Sequence, residues 1–526
     1  MSNPGTPFVD PNFYIYELID PPYQIKFTIV WTVVTALCIL IAAPKLFKTW
    51  QNGRLWQTWA IRENVHGVDY KPLESPERII PRTVKKSCFS RPASVILKYG
   101  LFTVPYLNLN LGQALLLAAY LATTLVCILY KSPILLSPNR AGFIALAQLP
   151  FIFLFAAKNS LLSVLLGRGY EKLNFLHRWA GRILFLSITI HGGLWINNDR
   201  TAGTPIIGSA KETLGVAAYG LLGTILITSF PIVRKHAYQM FTVVQIKEAV
   251  LVPVDNQMTL IHIQNCDGGW IAGQHLRLRV FFSGRMYESH PLTIANAPAP
   301  ISCTTSGEII LGARVSGDWT YALNEAARLA EKDLRVNVML DGPYGGSSID
   351  LGDYENALLV AGGSGITFTL GLLDDIVGRV VNMKRKAGEK TKRIDFAWCI
   401  KSYGSISWFA PMLADIALKA QDSSISLRIN IFVTCLCNPE AVPVIPNCEV
   451  IVEKPQLSKL LDAFLNRSTD LETGKLSQTN LGGLAVAVSG PKSLTAEAQN
   501  AIAGLSASRT RTSVGDIALH TEDFSL

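Results

Sequence analysis

Long apolar runs and short alternating runs divide this chain into two halves. Before about residue 240 the apolar stretches are long: 27–43, 111–130, 141–166, 175–195 and 214–232. About 20 helical residues cross roughly 30 Å of hydrocarbon, so five membrane helices are expected. From Val243 onward no such run recurs, and the pattern shortens to β-rich pieces. Runs at 259–263, 275–282 and 308–315, broken by glycine, proline and asparagine, predict a small antiparallel β-barrel over 242–349. After Gly342-Pro-Tyr-Gly-Gly346 the style changes again. Residues 357–361 read as a fully buried strand, 362–365 as a tight turn and 366–381 as a helix. Further strands at 395–400, 427–433 and 484–488 alternate with helical stretches. That alternation predicts an open parallel α/β sheet over 350–526. The expected chain is multi-domain, with an anchor span and loop over 1–110 and an α-helical transmembrane bundle over 111–241 preceding the barrel and the sheet.

At 526 residues, 49% hydrophobic and only 17% charged, the chain is too long for one domain and too apolar to be wholly soluble. Its N-terminus lacks a basic region before the first span, which reads as a retained anchor rather than a cleaved signal. The loop after that span carries Lys45, Lys48, Arg54, Arg62, Lys71, Arg78, Arg82, Lys85, Lys86, Arg91 and Lys98 against Glu63, Asp69, Glu74 and Glu77. Such an excess marks the cytosolic side, so five spans return the soluble half to the cytosol. The net charge of +9 is assigned to topology and anionic lipid, with no nucleic-acid partner. Nine cysteines show no CxxC pair and no zinc spacing, and read as reduced thiols.

Four clusters carry chemistry. His177 and His191 stand fourteen residues apart in one apolar stretch, close to four whole turns, so both imidazoles lie near one helix face about 20 Å apart. Neutral imidazole is a good axial ligand for haem iron, which makes one metal site near each leaflet a candidate. An electron-transfer haem needs a ligand on both faces, and buried histidines also serve simply as hydrogen-bonding partners. The second cluster, Arg285-Met-Tyr-Glu-Ser-His290-Pro291-Leu292-Thr293-Ile294, has what a flavin requires: fixed backbone beside the ring, a hydroxyl at Thr293, and cationic donors for pyrophosphate. Alone it is also an ordinary strand-end turn. In Val360-Ala-Gly-Gly-Ser-Gly-Ile-Thr-Phe-Thr369 the glycines let backbone N–H groups approach a pyrophosphate at a helix N-terminus. Gly-rich turns are common without ligands, and it is the placement between a buried strand and an apolar helix that points to a nucleotide. Val488-Ser489-Gly490-Pro491 again follows a buried strand, at the sheet edge where a dinucleotide would lie.

In this order the pieces resemble the ferric reductase branch of the ferric reductase and NADPH oxidase superfamily, in particular the fungal ferric-chelate reductases. The likeness runs through Asn139-Arg-Ala-Gly-Phe-Ile-Ala145, Leu149-Pro150, Lys158-Asn159, the 170–182 region with His177, then His191, the 234–241 region and Trp270-Ile-Ala-Gly-Gln-His275. It continues through His290-Pro-Leu-Thr293, Gly317-Asp-Trp-Thr320, Gly342-Pro-Tyr-Gly345, Gly362-Gly-Ser-Gly-Ile-Thr367, Ser489-Gly-Pro491 and the terminal His520-Thr-Glu-Asp-Phe524. The resemblance implies a ferredoxin-reductase-like soluble half with FAD on the barrel and NADPH on the sheet. It assigns FAD contacts to His290, Pro291, Thr293, Ile294, Gly317, Trp319, Thr320 and Gly342. The NADPH pyrophosphate falls to Gly362, Gly363, Ser364, Gly365, Ile366 and Thr367, and the 2′-phosphate to Lys401, where the family often has arginine. A lysine there supplies charge but no bidentate fork. Ser489, in place of the usual cysteine, stands with Gly490 and Pro491 beside the nicotinamide, and Phe524 would cover the flavin, so Thr293, Ser489 and Phe524 are the expected catalytic residues. His177 and His191 would be iron ligands of haem b.

The chain departs from the family after Phe241. There the family continues into a helix with a second histidine pair and one further span; here Phe241 runs directly into Thr242-Val-Val-Gln-Ile-Lys-Glu248. Besides 177 and 191 the only histidines are His66, His236, His262, His275, His290 and His520. Haem b is therefore expected only with ligands from elsewhere. A skipped exon would account for the gap, a shortened haem-free protein being the rival explanation. The resemblance implies a plasma-membrane ferric-chelate reductase. It would carry electrons from cytosolic NADPH through FAD and haem b, from the His177 level to the His191 level, to external chelated Fe(III) or Cu(II). A superoxide-generating NADPH oxidase and a membrane-tethered NADPH diaphorase are the alternatives, and the oligomeric state is left open.

Overall fold

In the computed structural model the described residues are 16–51, 103–104, 109–135, 138–156, 161–166, 170–203, 205–208, 210–228, 245–282, 285, 288–304, 307–330, 333–435, 443–470, 482–507 and 517–524. The basic loop used to argue orientation, with His66, and the 234–241 region, with His236, lie outside them. The chain divides into two compact units, one holding 113–240 and the other 241–526.

The first unit is helical: α1 (Pro21–Gln51), α2 (Leu111–Leu129), α3 (Asn139–Ala156), α4 (Tyr170–Ala202) and α5 (Ala210–Thr228). All five are long and apolar enough to cross a membrane. Helices suit that setting because they satisfy their own backbone groups without water. Phe27, Trp31, Tyr120, Ile144, Phe151 and Leu184 pack inward, while Ile29, Leu37, Leu40, Leu214, Leu221 and Ile225 stay exposed. Exposed apolar surface on this scale requires lipid, and the chain is an integral membrane protein. The third span, expected to run to 166, closes at Ala156; a separate short helix covers Leu161–Leu166, with the polar Lys158-Asn159-Ser160 between them in sequence. One buried charge is handled by pairing. Arg140, fully buried, meets Asp20, lies 3.7 Å over the Tyr23 ring, and donates to the carbonyls of Cys127 and Tyr130. Breaking such a pair costs about 3–5 kcal/mol.

The second unit holds the expected barrel and sheet. Strands β1 (Gln245–Pro253), β2 (Met258–Gln264), β3 (Gln274–Val280), β4 (His290–Thr293), β5 (Glu308–Arg314) and β6 (Leu334–Gly345) form an antiparallel sheet in the order β4-β3-β6-β1-β2-β5. A bridge between Ile294 and Leu311, with Ala295 N–H donating to Ile310 O, joins the two edges into a barrel. Its core is Trp270, Leu251, Ile261, Leu278 and Leu311. Helix α6 (Asp318–Leu329) closes one side through Trp319, Leu323 and Ala327, spaced four apart on its buried face.

Strands β7 (Asn356–Gly362), β8 (Arg393–Ile400), β9 (Ser426–Val433), β10 (Cys448–Ile451), β11 (Leu484–Gly490) and β12 (Ile517–Asp523) form a parallel sheet in the order β10-β9-β8-β7-β11-β12. Strands β7 and β11 are apolar over 357–361 and 484–488 because helices cover both faces. These helices are α7 (Ile366–Val381), α8 (Ala410–Gln421), α9 (Leu457–Asp470) and α10 (Lys492–Ala507). The order reverses between β7 and β11, and at such a switch point the loops part and leave a crevice. Strand β12 is not evident from alternation, since Ile-Ala-Leu-His-Thr-Glu-Asp mixes polar and apolar positions; pairing with β11 makes it a strand.

Candidate flavin and nucleotide site

The crevice at the switch point is formed by backbone brought unusually close. A Cβ on Gly365 would sit 2.3 Å from the carbonyl oxygen of Ser489, and one on Gly362 3.0 Å from Pro491 Cδ. Only glycine permits the strand ends of β7 and β11 to meet this way, and Gly363, at φ +56°, also takes a conformation that favours it. The turn is pinned from outside: Trp398 Nε1 donates to Gly363 O at 3.0 Å and Thr367 Oγ1 to Ser364 O at 3.1 Å. Ile366 then opens α7 without a side-chain cap, its own N–H bonding back to Gly363 O and Ser364 O, so the glycine turn runs directly into the helix N-terminus. Ser489 is fully buried, and its hydroxyl has no hydrogen-bond partner among the described residues. An orphaned buried hydroxyl costs about 1–3 kcal/mol unless a ligand completes it. Phe524 is tied to the same point, its N–H donating to Gly490 O at 2.9 Å. Lys401 stands exposed just past the carboxyl end of β8, on the same sheet edge.

On the barrel, His290, Pro291 and Thr293 are β4 itself, rather than a turn after a strand. Thr293 pairs with His275 and His290 with Leu278. The His290 ring stacks on Trp319 at 4.2 Å, which brings the two expected flavin segments together. Burial depresses the His290 proton affinity below the usual histidine range; Glu288, 3.4 Å from Nε2, opposes this, while Arg277 and Arg285 reinforce it. Trp319 Nε1 is buried with no partner among the described residues, a donor available to a ligand. Thr320 is different: its hydroxyl accepts from Ser316 N and Gly317 N and donates to Gly317 O, so it already caps α6. Pro291 is exposed, Ile294 is buried in the barrel closure, and Gly342 lies in the register shift between the His275–Tyr344 and Arg277–Asp341 pairs. The orphaned Ser489 and Trp319 groups, the cations beside His290 and the glycine turn fit a flavin and a pyridine nucleotide.

Arg314 is a candidate that the sequence reading missed. Gly312 and Arg314 share one face of β5. A Cβ on Gly312 would meet Thr367 and Phe409, so β5 packs directly on the start of α7, and Arg314 Nη1 lies 3.3 Å from where a Gly363 Cβ would be. The half-buried guanidinium has no protein partner among the described residues, and it lies over the glycine turn at Gly363. Its only sequence signal is a charge ending the strand before Gly317.

The membrane histidines lie on one helix, α4, as their spacing implies. Both face α3. His177 Nδ1 donates to Ile152 O at 3.0 Å and His191 Nδ1 to Pro138 O at 2.9 Å, a carbonyl being able only to accept. The His191 ring rests on Gly142, where a Cβ would lie 2.9 Å from it. Each Nε2 keeps a lone pair suited to iron, yet no described histidine faces either ring, and α5 presents Tyr219 to α4 instead, stacked on Phe185. These residues do not form a bis-histidine haem site.

Three family models match the chain in succession. The ferric reductase like transmembrane component matches residues 141–254, an FAD-binding domain 241–348, and the ferric reductase NAD binding domain 354–442. The chain is 24% identical to ferric/cupric reductase transmembrane component 2 of Saccharomyces cerevisiae, over 43% of this chain and 38% of that one. It is 26% identical to the probable cell surface ferric reductase kap2 of Aspergillus oryzae, over 61% and 52%. The match thus spans about half or less of these relatives' length. A solved ferredoxin NADP+ reductase from Neisseria gonorrhoeae, with bound FAD and NADP, is 14% identical with a TM-score of 0.34, over 52% of this chain and 98% of that one. In order along the chain, it is thus similar to a ferric reductase transmembrane component, an FAD-binding domain and a ferric reductase NAD binding domain.

Proposed function

We propose that the chain is an NADPH-dependent reductase that passes electrons through FAD to a chelated Fe(III) or Cu(II) ion at a membrane. The observation that carries this reading is the crevice between β7 and β11, where a glycine-only backbone approach, the orphaned Ser489 hydroxyl and the partnerless Arg314 converge on one sheet edge. With NADPH bound there, FAD on the barrel would take a hydride from it and pass the two electrons on one at a time, as reduction of Fe(III) demands. The turn at Gly362 to Thr367 would hold the pyrophosphate with Arg314 above it, and Lys401 the 2′-phosphate. Ser489, with Gly490 and Pro491, would orient the nicotinamide, and Phe524 would exclude water from the flavin face. His290, Trp319 and Thr293 would fix the flavin on the barrel. The soluble half is proposed to face the cytosol and the membrane to be the plasma membrane, from the basic loop and the family resemblance.

A second reading, a membrane-tethered NADPH diaphorase, is favoured by the packing of both membrane histidines on α3. The two separate in one experiment. The full chain, purified in detergent and reconstituted into vesicles with the NADPH site outward, is given NADPH without oxygen, with Fe(III) citrate either inside or outside and an Fe(II) chelator beside it. Fe(II) inside the vesicles supports transmembrane reduction; Fe(II) only outside supports the tethered diaphorase. No Fe(II) in either compartment contradicts both.

A further inference from the structure

Helix α7 does two things at once. Its first turn continues from the glycine turn, while a stripe one turn deeper meets the loop 294–303, which follows the flavin segment β4 without a break. The stripe is Gly371, Asp374, Gly378 and Asn382, spaced three to four residues apart on one face. A Cβ on Gly378 would lie 1.8 Å from Ile301 O and one on Gly371 2.9 Å from Ile294 O, so the loop backbone lies directly on the helix. Asp374, fully buried, takes three hydrogen bonds from that loop: Ala297 N–H at 2.8 Å, Ser302 Oγ at 2.7 Å and Cys303 N–H at 2.7 Å. Asn382 adds donations to Ile301 O and Ser302 O.

This carboxylate is an expensive way to hold a loop. Burial pushes its pKa above the usual carboxylate range, and its partners are neutral donors. The nearby guanidinium, Arg379, is engaged by Asp375 at 2.9 Å, Asp350 at 2.7 Å and Glu389 at 3.5 Å. Ordinary packing would be served at lower cost by an apolar residue, since a buried charge without a counter-ion is unfavourable. A carboxylate gains something else: charge-assisted bonds that fix three loop atoms against one helix.

We infer that Asp374 is a positioning residue for hydride transfer, locking the loop that continues the flavin segment onto the helix whose first turn receives the NADPH pyrophosphate. The inference rests on the FAD and NADPH reading above. With the lock in place the flavin and nicotinamide keep one separation, and a misplacement near 1 Å costs about 100-fold in rate.

The test compares the full wild-type chain with Asp374→Asn and Ser302→Ala. Flavin content and NADP+ affinity are measured first, then the rate at which NADPH and 4-deuterated NADPH reduce the flavin in a single anaerobic turnover. In Asp374→Asn, flavin content and NADP+ affinity hold while the reduction rate falls about tenfold or more and keeps its deuterium effect. Ser302→Ala, which removes one of the three donors, falls between, and it carries the test alone if Asp374→Asn does not fold. Unchanged reduction rates with a lower melting temperature would reduce Asp374 to a packing role and overturn the inference. A wild-type flavin that NADPH does not reduce would overturn the underlying reading, and the inference with it.

Discussion

In the second unit, polar groups beside the crevice and the barrel are left for something else to complete: the Ser489 hydroxyl, the Trp319 indole N–H and the Arg314 guanidinium have no protein partners among the described residues. At the membrane histidines, by contrast, one ring nitrogen of each already donates to a carbonyl, Ile152 O on α3 and Pro138 O just before it, and the His191 ring rests against Gly142. The contrast follows from how each site is built. The crevice needs two neighbouring strands of one sheet, and backbone pairing fixes their ends. A haem cage needs a second helix with its own histidines opposite the first, and the described chain offers Tyr219 there.

The largest expected effect comes from filling the crevice. Gly365→Ala places a Cβ 2.3 Å from the Ser489 carbonyl oxygen, and such overpacking costs about 1–3 kcal/mol while forcing the strand ends apart. NADPH-dependent flavin reduction and NADP+ binding should both be lost. Retained binding, measured by titration, would mean that the turn is not where the nucleotide sits. Arg314→Ala comes next. Removing a charge-assisted contact costs about 1.5–3 kcal/mol, so KM for NADPH should rise about tenfold or more with little change in kcat. A drop in kcat at constant KM would move Arg314 from nucleotide binding to the flavin.

Smaller still is the effect of the membrane pair. His177→Ala with His191→Ala should leave NADPH-to-flavin reduction unchanged while lowering the melting temperature of the membrane unit, since each removes one hydrogen bond of about 1 kcal/mol. Loss of flavin reduction in that variant would break the separation between the halves. The smallest effect is a pH dependence. The fold favours neutral His290, so the unfolded chain binds more protons and stability falls as pH drops below 6.5. Thermal melting on acidification should show this slope in wild type, and His290→Gln should flatten it.

Much of the second unit was legible because its signals are local. The helix expected at 366–381 is α7 to the residue, since a glycine turn starts it and an apolar face sustains it. The fully apolar strands at 357–361 and 484–488 each extend by one or two residues. What escaped depends on which surfaces meet. Arg314 reads as one more charge until β5 packs on α7, and Asp374 reads as a polar residue on an amphipathic helix until loop 294–303 lies against it. Thr320, expected at the flavin, also caps α6 through its hydroxyl, a role that spacing alone does not reveal. The shared face of His177 and His191 followed from helical periodicity, but periodicity does not name the neighbour that face meets.

The most direct test of this account is a reduced-minus-oxidised optical spectrum of the purified full chain, with flavin and haem quantified per polypeptide. The account predicts about one flavin per chain, reducible by NADPH, and no b-type haem bands from a chain on its own, in keeping with the bis-histidine ligation such a haem requires. A low-spin b-type signal that is stoichiometric with the chain and lost in His177→Ala or His191→Ala would contradict it.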